Sequence, residues 1–177
     1  MEWTPDSDDP PPQEAPQDQV RKWFNRRILT GQPIRCPTCD KHAEMYHRAL
    51  GFGLIYILVT QYHKEGQAFV HTPSVVPEYV MITMKSGKQK KVSLREGAKL
   101  AWWGLMEEEK RLRPDGGRAG FWRVTDLAVQ FIEGNVKMPS HCWEYQGWQE
   151  LDRRRYVTCQ EALGKRFDLD ALLRGEW

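Results

Sequence analysis

Apolar side chains recur at helical spacing in several stretches of the chain, and each stretch predicts a helix. Val20, Trp23, Phe24 and Ile28 lie three or four residues apart between Asp18, a residue suited to a helix start, and Gly31, suited to an end. The first helix is therefore expected over Gln19 to Leu29, with Arg21, Lys22, Arg26 and Arg27 on its other side. Ala43, Tyr46, Leu50, Leu54, Ile57, Leu58 and Gln61 keep the same interval. They predict a long helix from about Lys41 to His63, despite Gly51 and Gly53, as the spine of the core.

The next pattern is mixed. In the region Gln67 to Lys91, Val75, Val76, Tyr79, Val80 and Ile82 favour extended backbone, while Pro73 and Pro77 interrupt any helix. The region is expected to be irregular, with room for one strand, and to end in a basic loop over Lys85 to Lys91. Ser93-Leu94-Arg95-Glu96 fits a capping box, in which serine and glutamate each satisfy an orphan backbone amide at a helix start. The helix it opens runs to about Trp103. A strand is expected through Trp103 to Glu107, a glycine-bearing turn from Arg113 to Gly120, and a returning strand over Phe121 to Val124. Thr125 can cap a further helix that Gly134 ends. Trp143, Tyr145 and Trp148 suggest an extended aromatic connection, Thr158 to Glu161 repeats the capping-box pattern, and Asp168 can cap a last turn through Leu173.

The pattern predicts a mainly α fold with a small β-hairpin wing: a winged-helix-like domain preceded by a long helix and a Cys-x-x-Cys turn. Its expected parts are a tail over 1–17, a helical region over 18–66, a winged-helix-like unit over 67–140 and a C-terminal extension over 141–177. Leu100-Ala101-Trp102-Trp103-Gly104-Leu105-Met106-Glu107, followed by Gly120-Phe121-Trp122-Arg123-Val124-Thr125, resembles winged-helix regulators of the multiple-antibiotic-resistance repressor type over about Ser93 to Gly134. In that pattern a recognition helix ends in a Gly-Leu strand, the wing turns, and a second strand ends in threonine. Combined with the Cys-Pro-x-Cys turn, it is also similar to small phage-encoded proteins of unassigned role.

The resemblance implies a non-enzymatic DNA-binding protein, such as a phage-type transcription regulator. It departs from the family upstream of Ser93, where no partner helix is expected. The presumed recognition helix also offers only Arg95, Lys99 and Glu96 on an exposed face, whereas base reading commonly uses several Arg, Asn or Gln side chains. An alternative keeps the scaffold without the reading: a protein-interaction module, for example an inhibitor or adaptor gripping an acidic surface of a host transcription or replication machine.

Length and charge narrow these readings. A chain of 177 residues accommodates one domain with a sizeable core plus small appendages. Met1 to Gln17 holds five prolines and five acids with no Lys or Arg, a composition expected to stay without structure, although it could fold back over a basic face. The whole chain is +2, so the remaining 160 residues carry +7, which suits an acidic partner. No secretory leader pattern opens the sequence, and the apolar run Leu50 to Val59 is far short of the ~18 residues of a membrane span. A cytoplasmic location is expected. If duplex DNA is bound, Lys88, Lys90, Lys91, Arg95 and Lys99 would neutralise phosphates near the helix start, with Arg111, Arg113 and Arg118 reaching out from the wing. Glu107, Glu108, Glu109 and Asp115 would weaken that contact, and the bland alternative is ordinary solubilising charge.

Cys36-Pro37-Thr38-Cys39 carries the sharpest chemistry, because a Cys-x-x-Cys turn points two thiolates toward one tetrahedral ion. A structural zinc would need two more ligands. His42 and His47 are nearest, although five residues apart on a helix they would point away from each other, and His141, Cys142 or His63 could complete the set. A reduced pair that simply packs is the alternative. A thioredoxin-like redox role is not expected, since no strand precedes the turn. Catalysis is not expected either: no phosphate-cradling glycine loop, His-Glu-x-x-His helix or Gly-x-Ser-x-Gly elbow occurs. Of the eight tryptophans, Trp3, Trp148 and Trp177 lie in tail or connecting segments, where they could anchor a partner or pin the chain to its own domain.

Overall fold

Helix α1 (Gln17–Leu29) turns Trp23 and Ile28 inward, as their spacing predicts, and Gly31 comes after it with φ 76°. The computed structural model describes residues 3–31, 34–36, 39–84, 86–110, 120–145 and 147–176. Its packing divides into two units, one of Met1–His47 with Trp143–Gln149, the other of Arg48–Cys142 with Glu150–Trp177.

In the first unit the acidic leader lies against α1. The Trp23 indole donates to the Ser7 carbonyl at 2.9 Å, the Arg26 guanidinium donates to the same oxygen, and Arg27 pairs with Asp8 at 3.0 Å. Beyond α1 come the two-residue strands β1 (Ile34–Arg35) and β2 (His42–Ala43), antiparallel with Arg35 opposite His42. They bracket the cysteine turn.

The long helix expected from Lys41 to His63 does not form as one element. Its first third is β2 and then strand β3 (Tyr46–Ala49), and helix α2 (Phe52–Glu65) begins only after Gly51, which is extended at φ −124° and ψ −174°. Sheet pairing takes the backbone of Tyr46 to Ala49, so the spacing of Ala43 and Tyr46 with Leu50 is coincidental. The second unit is built around α2. Every residue from Leu54 to Gln61 is buried, so the helix has no polar stripe over two turns and reads as a core helix. Leu100, Trp103, Leu105, Val124, Phe131, Cys142 and Leu163 belong to the same apolar cluster.

The stretch expected to be irregular is largely ordered. It contains β4 (Val70–His71), the short helix α3 (Thr72–Val75) and an antiparallel pair, β5 (Tyr79–Thr83) with β6 (Gln89–Ser93). Pro73 sits in the first turn of α3, where the missing amide would have had no helical partner. The Ser93 capping box does not form: Ser93 closes β6 opposite Tyr79, and Glu96 pairs with Lys99. The next element is a 3-10 helix, Gly97–Trp103, with no side-chain cap, ended by Gly104 in the left-handed region. The expected wing strands do form, as β7 (Met106–Glu108) and β8 (Phe121–Val124) with Met106 opposite Val124. β8 is also paired with β4 on its other side. Thr125 caps helix α4 (Asp126–Ile132) by accepting from the Ala128 amide.

The aromatic connection is a pair of long strands, β9 (Met138–Tyr145) and β10 (Trp148–Val157), in a sheet of order β10-β9-β3. Helices α5 (Cys159–Leu163), opened by the expected Thr158–Glu161 capping box, and α6 (Leu169–Leu173), capped by Asp168, complete the described chain. The fold is therefore not mainly α. It is a mixture, 35% helix and 28% strand, with seven helices and four small sheets among the described residues. The mainly α expectation failed where apolar alternation in short strands was read as helical spacing or as loop.

Candidate nucleic-acid interface

The basic residues singled out in the sequence fall into three groups. Lys88, Lys90 and Lys91 come together on one strand and its turn: Lys90 and Lys91 are in β6, Lys88 directly precedes it, and all three are exposed. Arg95 and Lys99 lie just beyond, and their charges are engaged locally. Arg95 pairs with Glu78 at 2.7 Å, while Lys99 pairs with Glu96 and has its ammonium 5.6 Å from the Trp102 ring centre. Arg111, Arg113 and Arg118 lie outside the described residues.

The β5–β6 ribbon owes its position to both of its ends. At the base the Leu94 amide donates to the Glu78 carbonyl at 2.8 Å, and Gly53 of α2 brings the helix backbone close to Val92 and Ser93. At the tip the Met84 amide donates to the Lys88 carbonyl at 2.8 Å, and Gly87, with φ 77°, makes the reversal that a side chain would strain. An isolated two-stranded hairpin is marginal in water, so these anchors matter.

Alternation then sorts the side chains. Tyr79, Met81 and Thr83 share one face with their opposite numbers Ser93, Lys91 and Gln89; Val80 and Ile82 share the other with Val92 and Lys90. Strand β5, from Val80 to Thr83, borders a cleft of about 510 Å3 also lined by Phe52, Tyr56, Phe167 and Leu172. The first face is open. Tyr79 is 45% and Met81 54% exposed, and the Lys91 ammonium sits 3.8 Å from the centre of the Tyr79 ring. A ribbon with Lys91, Gln89, Thr83 and Tyr79 on one exposed face offers cations for phosphate, an amide and a hydroxyl for base edges, and an aromatic surface for stacking.

The sequence reading missed Tyr79, Met81 and Gln89, although the alternation of Tyr79 to Thr83 was the available signal. It also missed Arg153-Arg154-Arg155-Tyr156 on β10, which stands at the end of its sheet with all four residues exposed. Arg154 is held by the buried Asp152 through contacts of 2.8 and 2.7 Å. Three consecutive arginines were visible in the sequence, but charges on an edge strand also serve to block unwanted strand pairing.

The helix that the winged-helix resemblance would make a base reader has little to read with. Leu100 and Trp103 are buried, the Trp103 indole donates to the Pro139 carbonyl at 2.7 Å, and the exposed positions Ala98 and Ala101 carry no polar side chain. The segment before it is the ribbon, not a helix.

Of the metal candidates, Cys36 is half-buried and Cys39 exposed. His42 is an exposed residue of β2, and the His47 ring stacks on Trp143 with centres 4.0 Å apart. Among the described residues no group of three or more His, Cys, Asp or Glu side chains is placed to hold a metal ion. No helix among them is long and apolar enough to cross a membrane. No protein family, curated protein or solved structure matches the chain.

Proposed function

We propose that this protein binds duplex DNA through the β5–β6 ribbon, acting by binding and not by catalysis, as a regulator would. The observation that carries the reading is the exposed ribbon face of Tyr79, Thr83, Gln89 and Lys91, flanked by Lys88 and Lys90. A two-stranded ribbon fits the major groove as a helix does. Lys91 neutralises phosphate on that face, Lys88 at the turn and Lys90 on the opposite face add positive charge around it, and Gln89 and Thr83 meet base edges. Arg95 and Lys99, paired with Glu78 and Glu96, contribute less than their formal charge suggests.

A second reading is favoured by Met81 and Tyr79, whose exposure beside Lys91 also suits an acidic protein surface with an apolar centre. Fluorescence anisotropy with labelled duplex DNA separates the two. The DNA reading expects binding at low salt that weakens steeply as salt rises, with a slope reduced by about one in the Lys91→Gln variant. Absence of duplex binding at low salt rejects it.

A further inference from the structure

The cleft that β5 borders measures about 510 Å3, within the range of ~300 to 1,000 Å3 usual for small-molecule sites. All of its lining residues belong to the second unit. One wall is β5 from Val80 to Thr83, a stretch of about 10 Å at the usual strand rise. Helix α2 contributes Phe52 and Tyr56, which are one turn apart on the same helix face. Leu163 of α5 and Ala171 and Leu172 of α6 add to the apolar lining. A mainly apolar space that follows a strand suits an extended chain better than a compact ring system.

The loop between α5 and α6 shapes the mouth, and Gln160 holds it. The Gln160 side-chain amide donates to the Phe167 carbonyl at 2.8 Å and to the Gly164 carbonyl at 3.3 Å. Its side-chain carbonyl accepts from the Leu169 amide at 3.1 Å. Phe167, so placed, lies against Phe52 with ring centres 4.2 Å apart. The cleft is therefore formed before any ligand arrives, which lowers the ordering cost of binding.

Three charged side chains line this space: Arg166, Asp168 and Glu176. Both acids are committed elsewhere. Asp168 caps α6 by accepting from the Asp170 and Ala171 amides, and Glu176 pairs with Arg174 at 2.9 Å. Arg166 is exposed, with its guanidinium 5.8 Å from the centre of the Phe167 ring, and pairs with no carboxylate among the described residues. It is the charged group of the lining that is left to meet a ligand. A planar guanidinium matches a carboxylate with two parallel hydrogen bonds.

We propose that this cleft binds a free aliphatic carboxylic acid of about ten carbons, a length suited to the wall along β5, with one molecule per chain. The hydrocarbon lies along Val80 to Thr83 over Phe52, Tyr56 and Leu172, and the carboxylate accepts hydrogen bonds from Arg166. Neither the site nor its test depends on DNA binding.

Isothermal titration calorimetry of the full chain with decanoate, kept below its micelle concentration, tests the proposal. Saturation at one decanoate per chain is expected. Octanoate should bind about tenfold more weakly, because two fewer methylenes are buried. Arg166→Gln should weaken decanoate binding about fivefold and leave the binding of uncharged 1-decanol unchanged. Ala171→Phe, which fills the cleft from α6, should lose both ligands. The stoichiometry and the chain-length comparison are read on the wild-type chain, and Arg166 is exposed, so the result does not hinge on the folding of Ala171→Phe. Absence of saturable binding, equal affinity for octanoate and decanoate, or an Arg166→Gln loss shared equally by 1-decanol would overturn the proposal. Tighter binding of 1-naphthoate than of decanoate would overturn it as well.

Discussion

The Thr72 hydroxyl donates to the Gln61 side-chain carbonyl at 2.9 Å in the interior of the second unit. The amide of the same glutamine donates to the Trp122 carbonyl at 2.8 Å. One fully buried polar side chain thus ties α2 to α3 and to the central strand of the β4-β8-β7 sheet.

Gln61→Leu keeps the volume and removes both bonds, leaving the buried Thr72 hydroxyl without its Gln61 acceptor. A loss of about 2 to 4 kcal/mol is expected in urea denaturation. Adding Thr72→Val removes the stranded hydroxyl, so the double variant should be more stable than the sum of the single losses, by about 1 kcal/mol. Simple additivity would show that the two side chains act separately.

The two Ser/Thr-x-x-Glu patterns should respond differently to alanine. Thr158 caps α5 in both directions of the box, so Thr158→Ala is expected to cost about 1 kcal/mol. Ser93 caps nothing, and Ser93→Ala should change stability by about 0.5 kcal/mol or less. The box also has a pH signature. Hydrogen bonds from the Thr158 backbone amide and then its hydroxyl hold the Glu161 carboxyl below its usual 4.5. Its stabilising effect is present above 4.5 and disappears as pH falls through the folded value. Acid titration of Glu161→Gln should lack that part of the wild-type decline.

Burial pushes the Cys159 thiol from 9.0 up to about 12. In the unfolded chain it ionises near its ordinary value, so above about pH 9 the unfolded state gains a stabilisation that the folded state lacks. Stability should therefore fall through this alkaline window, by about 1.4 kcal/mol per pH unit from this group alone. Cys159→Ala should flatten the slope in denaturation experiments between about pH 9 and 10. Under native conditions at about pH 8 a thiol reagent should modify the exposed Cys39 and spare the buried Cys142 and Cys159 until the chain unfolds.

Local signals that work through a few adjacent atoms were legible in the sequence. Thr125, Thr158 and Asp168 cap helices, Gly104 and Gly134 adopt positive φ at helix ends, and Met106 to Glu108 pair with Phe121 to Val124. Signals that depend on distant partners were not. Ser93 has the same spacing to a glutamate as Thr158, but the pairing of β6 with β5 takes its backbone. The spacing from Ala43 to Gln61 runs across two strands and a helix, and only the extended Gly51 marks the start of the helix. At the candidate interface the lysines were legible as a basic run. Their arrangement was not, because Tyr79 and Met81 join Lys91 only once the hairpin register is set.

Helix α2 packs against α5 and α6, which are the last helices of the described chain. A ribosome completes the apolar cylinder from Leu54 to Val59 long before it makes the segments that cover it. Until Leu163 and Leu172 emerge, that surface lacks part of its cover, and the growing chain has an interval in which it depends on chaperones or risks self-association.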